Sequence, residues 1–333
     1  MQKSRPFLIT IDTEGDNLWE PCPKPETRNA CFLPRFQALC EKYGLLPTYL
    51  VNYEMAKSVE FQEFAIDAVS RGAAEVGMHL HAWDTPPIIP LTDCDWRHQP
   101  FLFEYPDDVM RSKVDYMTKL LEDTFGSSVT SHRAGRWGFD MRYAECLRQH
   151  GYLVDCSVTP FVDWTGHSGA PSGTGGQDFS RFPTNAYFIG SERTGALERP
   201  ALLELPVTIR PQRSPIEDWF AARMGRAPVV GNVLRRRLGR KVWLRPTGRN
   251  LNRMTTLVDE VTAEHDNSYL EFMLHSSELM PGGHPRLQTD ADVDRMYRCI
   301  EGLFDYVQGS VRGCTLSDYA LELTDASLTA VSA

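Results

Sequence analysis

The sequence predicts an α/β protein in which parallel strands, each followed by a helix, build a sheet or barrel with its site at the C-terminal strand ends. Three observations predict it. Short apolar runs alternate with segments of helical periodicity along nearly all of the 333 residues. The composition is ordinary for a globular chain, 42% hydrophobic and 24% charged, and the length suits a domain of barrel size. The strand-like runs also end in carboxylates, imidazoles and guanidinium groups, which a barrel gathers on one face.

The elements follow in order. PFLITID (6–12) is an apolar strand ending in acids. Residues 31–44 read as a helix closing on Gly44, and 46–52 as a strand. Residues 61–72 are helical with Gly72 as the stop, and AEVGMHLHAW (74–83) is the third strand. Helical periodicity over 107–125 opens on Asp107 and Asp108 and closes at Gly126. Strand 129–133, helix 139–150 and strand 152–158 come next. Strand 201–209, helix 251–264, strand 269–275, helix 290–308 and a short strand 311–316 precede a last helical turn. We expect one domain over 1–333, interrupted by insertions at about 160–200 and 210–250.

Composition excludes several classes. No run approaches the ~20 apolar residues of a membrane helix. The apolar run Pro6–Ile11 is shorter than the ~7–15 residues of a signal-peptide core, so the expected location is cytoplasmic. Eight scattered cysteines without a C-x-x-C pair read as reduced thiols. Net charge is −9, which argues against nucleic acid as a partner. The charge is unevenly placed, because Trp219–Val258 holds ten basic residues and no acidic one. Over 223–253 this stretch interleaves cations with apolar residues. It fits a solvated surface loop, or a weak contact with an anionic membrane or a pyrophosphate-linked sugar.

The candidate site residues are those that end the strands. His79 and His81 are two apart, so on a strand they share a face, as two ligands of a metal such as zinc would. An H-x-H pair also occurs as plain structure. Asp12 and Glu14 have the same spacing, and carboxylates held together share a proton or bind a cation. Arg133 beside an acidic cluster would keep one carboxylate ionised, as a general base requires, or would be a structural ion pair. His275 ends a strand and fits either a proton donor or a buried hydrogen-bonded histidine. Asp155 could tune His275 or Arg133.

In order and spacing these residues resemble the NodB-homology polysaccharide deacetylases, carbohydrate esterase family 4. The motifs that carry the resemblance are Thr10-Ile11-Asp12-Thr13-Glu14-Gly15, Glu75-Val76-Gly77-Met78-His79, Arg133-Ala134-Gly135-Arg136-Trp137, Leu274-His275 and, loosely, Asp155-Cys156-Ser157. Two positions depart from the family. Trp83 stands where its second histidine falls, so His81 would replace that ligand. Thr13 stands at its metal aspartate, so Glu14 would take that role, with Asp16 in support. The resemblance implies a distorted (β/α) barrel of about seven parallel strands and a divalent metal, zinc above others.

It further implies hydrolysis of an N-acetyl or N-formyl group on a sugar. On it we expect Glu14, His79 and His81 as metal ligands, Asp12 as base oriented by Arg133, and His275 as acid. Trp83, Arg136 and Trp137 would meet the substrate. The expected substrate is a nucleotide- or lipid-linked cytoplasmic precursor of a surface polysaccharide such as O-antigen. An amidohydrolase acting on a small amide, an inactive sugar-binding barrel, and a membrane-associated protein built on the basic insertion fit the same residues.

Overall fold

The computed structural model describes residues 4–16, 18–190, 201–212, 240–264 and 269–331. One nine-stranded sheet organises them, in the order β10-β1-β2-β3-β4-β5-β7-β6, with β11 also on β1. The strands are β1 (Arg5–Thr13), β2 (Pro47–Val51), β3 (Glu75–Leu80), β4 (Ser131–Ala134), β5 (Val154–Asp155), β6 (Tyr187–Ile189), β7 (Leu202–Glu204), β10 (Leu270–His275) and β11 (Val311–Cys314). All pair in parallel except β6 with β7. A separate antiparallel pair joins β8 (Ile209–Gln212) to β9 (Arg240–Trp243).

The expected parallel α/β fold is present, as a strongly curled sheet. Neighbouring strands lie about 4.8 Å apart, so a flat sheet would leave ~14 Å between β1 and β4. Arg133 on β4 nevertheless donates to Asp12 on β1 at 2.6 Å. The curl creates an inside and an outside. Alternate residues Leu8, Thr10 and Asp12 face inward, while Phe7, Ile9 and Ile11 pack against the helices. Inside, apolar Leu8, Leu50, Val154, Leu203 and Leu316 fill one end. The polar strand ends occupy the other.

The helices cover the outside. They include α1 (Leu33–Lys42), α3 (Val59–Ser70), α5 (Asp107–Phe125) and α6 (Met141–Gln149), with short α2 (Tyr53–Ala56) and α4 (Asp95–His98). Later come α7 (Leu251–Ala263), α8 (Asp290–Val307) and α9 (Leu316–Val331). The last is a long helix where a single turn was expected. The strand expected over 201–209 is two strands, because Pro206 has no N–H for a ladder. The insertion at 160–200 contributes the antiparallel edge strand β6. Most of the basic insertion, 213–239, lies outside the described residues. All eight cysteines are free thiols. Among the described residues no helix is long and apolar enough to cross a membrane.

Candidate active site

Asp12 and Glu14 lie at and just beyond the end of β1, two residues apart and facing the curled interior. β3 brings His79 and His81 to the same place. Glu14 Oε2 lies 3.2 Å from His81 Nε2 and 3.6 Å from His79 Nε2, and the two Nε2 atoms are 3.1 Å apart. All three side chains are buried. His79 donates from Nδ1 to the Arg133 carbonyl at 3.0 Å, which leaves its Nε2 as a lone pair aimed at the group.

The donor set fits a divalent cation. Tetrahedral bonds of about 2.0–2.1 Å place two ligand atoms about 3.3 Å apart, close to the three distances in this triangle. The ligand atoms of Glu14, His79 and His81 lie within 4.8 Å of one another. Burial opposes the charge on Glu14, but His79 and His81 hold its carboxyl well below the ordinary range. Burial also opposes charge on His79, and Asp12 and Glu14 raise its pKa in spite of it.

Asp12 is organised by Arg133, whose side chain is fully buried. Arg133 gives Nη1–H to Asp12 Oδ1 at 2.6 Å and Nε–H to the Cys156 carbonyl at 3.1 Å. Its Nη2 serves Thr10 Oγ1 at 2.8 Å and a carboxylate oxygen of Glu271. Burial penalises ionised Asp12, yet Arg133, His79 and His275 together keep its pKa below the ordinary value. Asp12 Oδ2 then remains for chemistry, 3.5 Å from His275 Nε2.

His275 is the register partner of Asp12 across β10 and β1. Its Nε2 also lies 3.7 Å from Glu14 Oε1. Behind the ring, Nδ1 is 3.5 Å from Glu278 Oε2 and 3.1 Å from Arg245 Nη2, and Arg245 pairs with Glu278 Oε1 at 3.0 Å. Burial opposes charge on Glu278, but Arg245 and His275 hold its pKa far below the ordinary range. Trp19 packs edge-on against the His275 ring at 4.8 Å.

Two expected supporting residues and one expected substrate contact sit elsewhere. Asp155 touches neither His275 nor Arg133. It meets His132 Nδ1 at 2.5 Å, and His132 Nε2 meets the Tyr143 hydroxyl at 2.7 Å. Strand alternation explains this, because His132 and Arg133 are neighbours and point to opposite faces of β4. Asp16 accepts from Arg28 Nε at 2.9 Å and from Asn29 N and Nδ2 at 2.9 and 2.7 Å, so it clamps a loop and offers no ligand atom. Arg136 gives its guanidinium to the Gln99 and Ser168 carbonyls.

Arg136 and Trp137 have φ of 55° and 60°, two successive left-handed residues that each cost about 1–3 kcal/mol. That turn places the Trp137 ring 5.1 Å from the Arg133 guanidinium. Trp83 stacks on His81 at 4.5 Å.

Glu271, Glu278, Arg245 and Trp19 belong to this site and escaped the sequence reading. Glu271 had a usable signal, since it lies four residues before His275 on one strand and so shares its face. Glu54 and Asp84 also crowd His81, with ligand atoms of the three within 4.8 Å. Burial and Glu54 together push the Asp84 carboxyl well above the ordinary range.

No protein-family model matches the sequence, and no curated protein matches it. Solved structures do. A protein described as a candidate polysaccharide deacetylase from Mycobacterium smegmatis superposes with a TM-score of 0.54 at 13% identity, over 98% of this chain and 93% of its own. The chain has the fold of the polysaccharide deacetylases. A 4-alpha-glucanotransferase from Thermococcus litoralis also superposes, with a TM-score of 0.51 at 10% identity, over 96% of this chain. This chain spans 40% of that protein's length. The deacetylase fold accounts for the curled sheet; the roles of individual side chains rest on the geometry above.

Proposed function

We propose that the protein is a metal-dependent deacylase that removes an N-acetyl or N-formyl group from a sugar. One observation carries the reading: a triangle of metal-type donors lies beside a carboxylate fixed by a buried arginine and faced by a histidine. Glu14, His79 and His81 would hold the ion, zinc for this donor set. When bound, such an ion polarises an acyl carbonyl.

The chain's own groups supply the proton transfers. Asp12, kept ionised by Arg133, accepts the proton of the attacking water at Oδ2. His275, held by Arg245 and Glu278 at Nδ1, presents Nε2 to the departing sugar amine and gives it a proton. The net change is one amide C–N bond exchanged for a C–O bond, with one water consumed. Trp83 and Trp137 offer ring faces beside this chemistry for a pyranose. We place the substrate among cytoplasmic precursors of a surface polysaccharide such as O-antigen. Incubation with a panel of N-acylated amino sugars tests the function. Release of acetate or formate by the wild type, and none by His275→Ala, supports it. No release from any acylated sugar by metal-loaded protein would sink it.

A further inference from the structure

Surface arginines on most of this molecule are matched by carboxylates. Arg35 pairs with Asp294, Arg71 with Glu41 and Asp67, Arg142 with Asp107, and Arg312 with Glu322. Several cations that are not matched in this way gather in a cleft beside Trp19. With a volume of about 530 Å³, it is lined by Arg240, Lys241, Arg245, Arg253 and Arg286, and by one carboxylate, Glu278. Glu278 is buried and already shared by Arg245 and His275, so it neutralises none of the others. Among the described residues Arg240, Arg253 and Arg286 have no carboxylate within ion-pair distance, and the charge of Lys241 acts on Asp163 at longer range. Arg240, Lys241 and Arg253 come from the acid-free stretch Trp219–Val258, and the fold sets them beside Arg286 from the segment after β10.

Two further features point to an anion. Arg253 lies in the first turn of α7, which contains no acidic residue, and the Asn250 N-cap side chain does not cap it. A cation there opposes the helix dipole, and a bound anion would relieve both. The cleft also adjoins the back of the His275 ring, on its Nδ1 side. Arg245 lies 3.1 Å from His275 Nδ1, and Trp19 lines the cleft while packing on the His275 ring. Several cations in so small a volume suit a ligand with two adjacent phosphates better than the spaced single charges of an acidic polymer.

We infer that this cleft binds the pyrophosphate of a pyrophosphate-linked sugar, with the sugar passing Trp19 toward His275. The direction of passage rests on the deacylase reading; the anion site itself does not. The pyrophosphate has two chemical sources, a nucleoside diphosphate and a polyisoprenyl diphosphate lipid.

Calorimetric titration of the full chain at low salt with inorganic pyrophosphate, with uridine diphosphate, and with a polyisoprenyl diphosphate in neutral vesicles tests it. None of these ligands carries an acyl group, so the outcome is independent of deacylation. Wild-type protein should bind pyrophosphate, and affinity should fall as salt rises. The variant Arg240→Gln/Lys241→Gln/Arg253→Gln should bind at least tenfold more weakly, with an unchanged circular dichroism spectrum. Tighter binding of the nucleotide or of the lipid then identifies the source. If that variant is misfolded, the single substitution Arg286→Gln replaces it, with a severalfold loss expected. Absence of pyrophosphate binding by the wild type, or equal binding by a folded variant, overturns the inference. Acyl release from a neutral sugar in the same preparation would leave the deacylase reading standing.

Discussion

Arg133 is the residue on which the site's electrostatics turn. A fully buried guanidinium is expensive to desolvate unless its donors are met. Here Asp12, Glu271, Thr10 and the Cys156 carbonyl meet them. Asp12→Asn keeps the acceptor oxygen facing Arg133 but loses the base. We expect turnover to fall by about 10²–10⁴-fold with metal content retained, as measured by metal analysis alongside a rate assay. Loss of the ion in Asp12→Asn would make Asp12 a ligand. His275→Ala should lower kcat far more than it raises KM, because its proton is needed in the transition state. The converse, a raised KM with unchanged kcat, would make His275 a binding residue. At this scale Asp12 with Glu14 and His79 with His81 were legible from their i, i+2 spacing, and Arg133 and His275 as polar residues at strand ends. Asp155 was not so legible, because strand alternation sets it in register with His132, on the face opposite Arg133.

The elements place these residues through close strand contact. Gly77 in β3 has no room for a side chain, since an added Cβ would lie 2.3 Å from Ser131 Oγ and 2.8 Å from Leu50 Cδ2. Gly77→Ala should therefore destabilise the fold by about 1–3 kcal/mol, read as a lower urea midpoint. An unchanged midpoint would mean that β3 and β4 can separate freely. On β10, burial pushes the Glu271 carboxyl up to about 7, although Arg133 and Thr10 oppose the rise. The folded state then holds that proton at pH values where the unfolded chain has released it. The resulting stability is fully present below the ordinary glutamate pKa and is lost as pH rises through about 7. Wild type should lose stability between pH 5 and pH 8 relative to Glu271→Gln, in parallel urea titrations. A difference between the two that is constant with pH would contradict this. The long periodic helices 107–125 and 290–307 were the easiest elements to read from sequence, whereas β6, β8 and β9 were missed. Three or four residues are too few for periodicity to register, and these strands form only because a distant partner pairs with them.

The described residues form a curled, mainly parallel sheet whose apolar end packs the interior and whose polar end gathers the candidate site. The class of fold was readable from strand–helix alternation. The curl was not, because it depends on contacts such as Arg133 to Asp12 that span two intervening strands. The central claim is that one triangle of donors, Glu14, His79 and His81, holds the ion on which deacylation depends. The measurement that tests it most directly is metal content and acyl release from an N-acylated amino sugar, made on the same preparations of wild type and Glu14→Gln. The wild type should carry a divalent ion and release acid, and Glu14→Gln should lose both together while keeping a folded circular dichroism spectrum. Full acyl release by metal-free protein, or a folded Glu14→Gln variant that keeps its ion and its activity, would contradict the account.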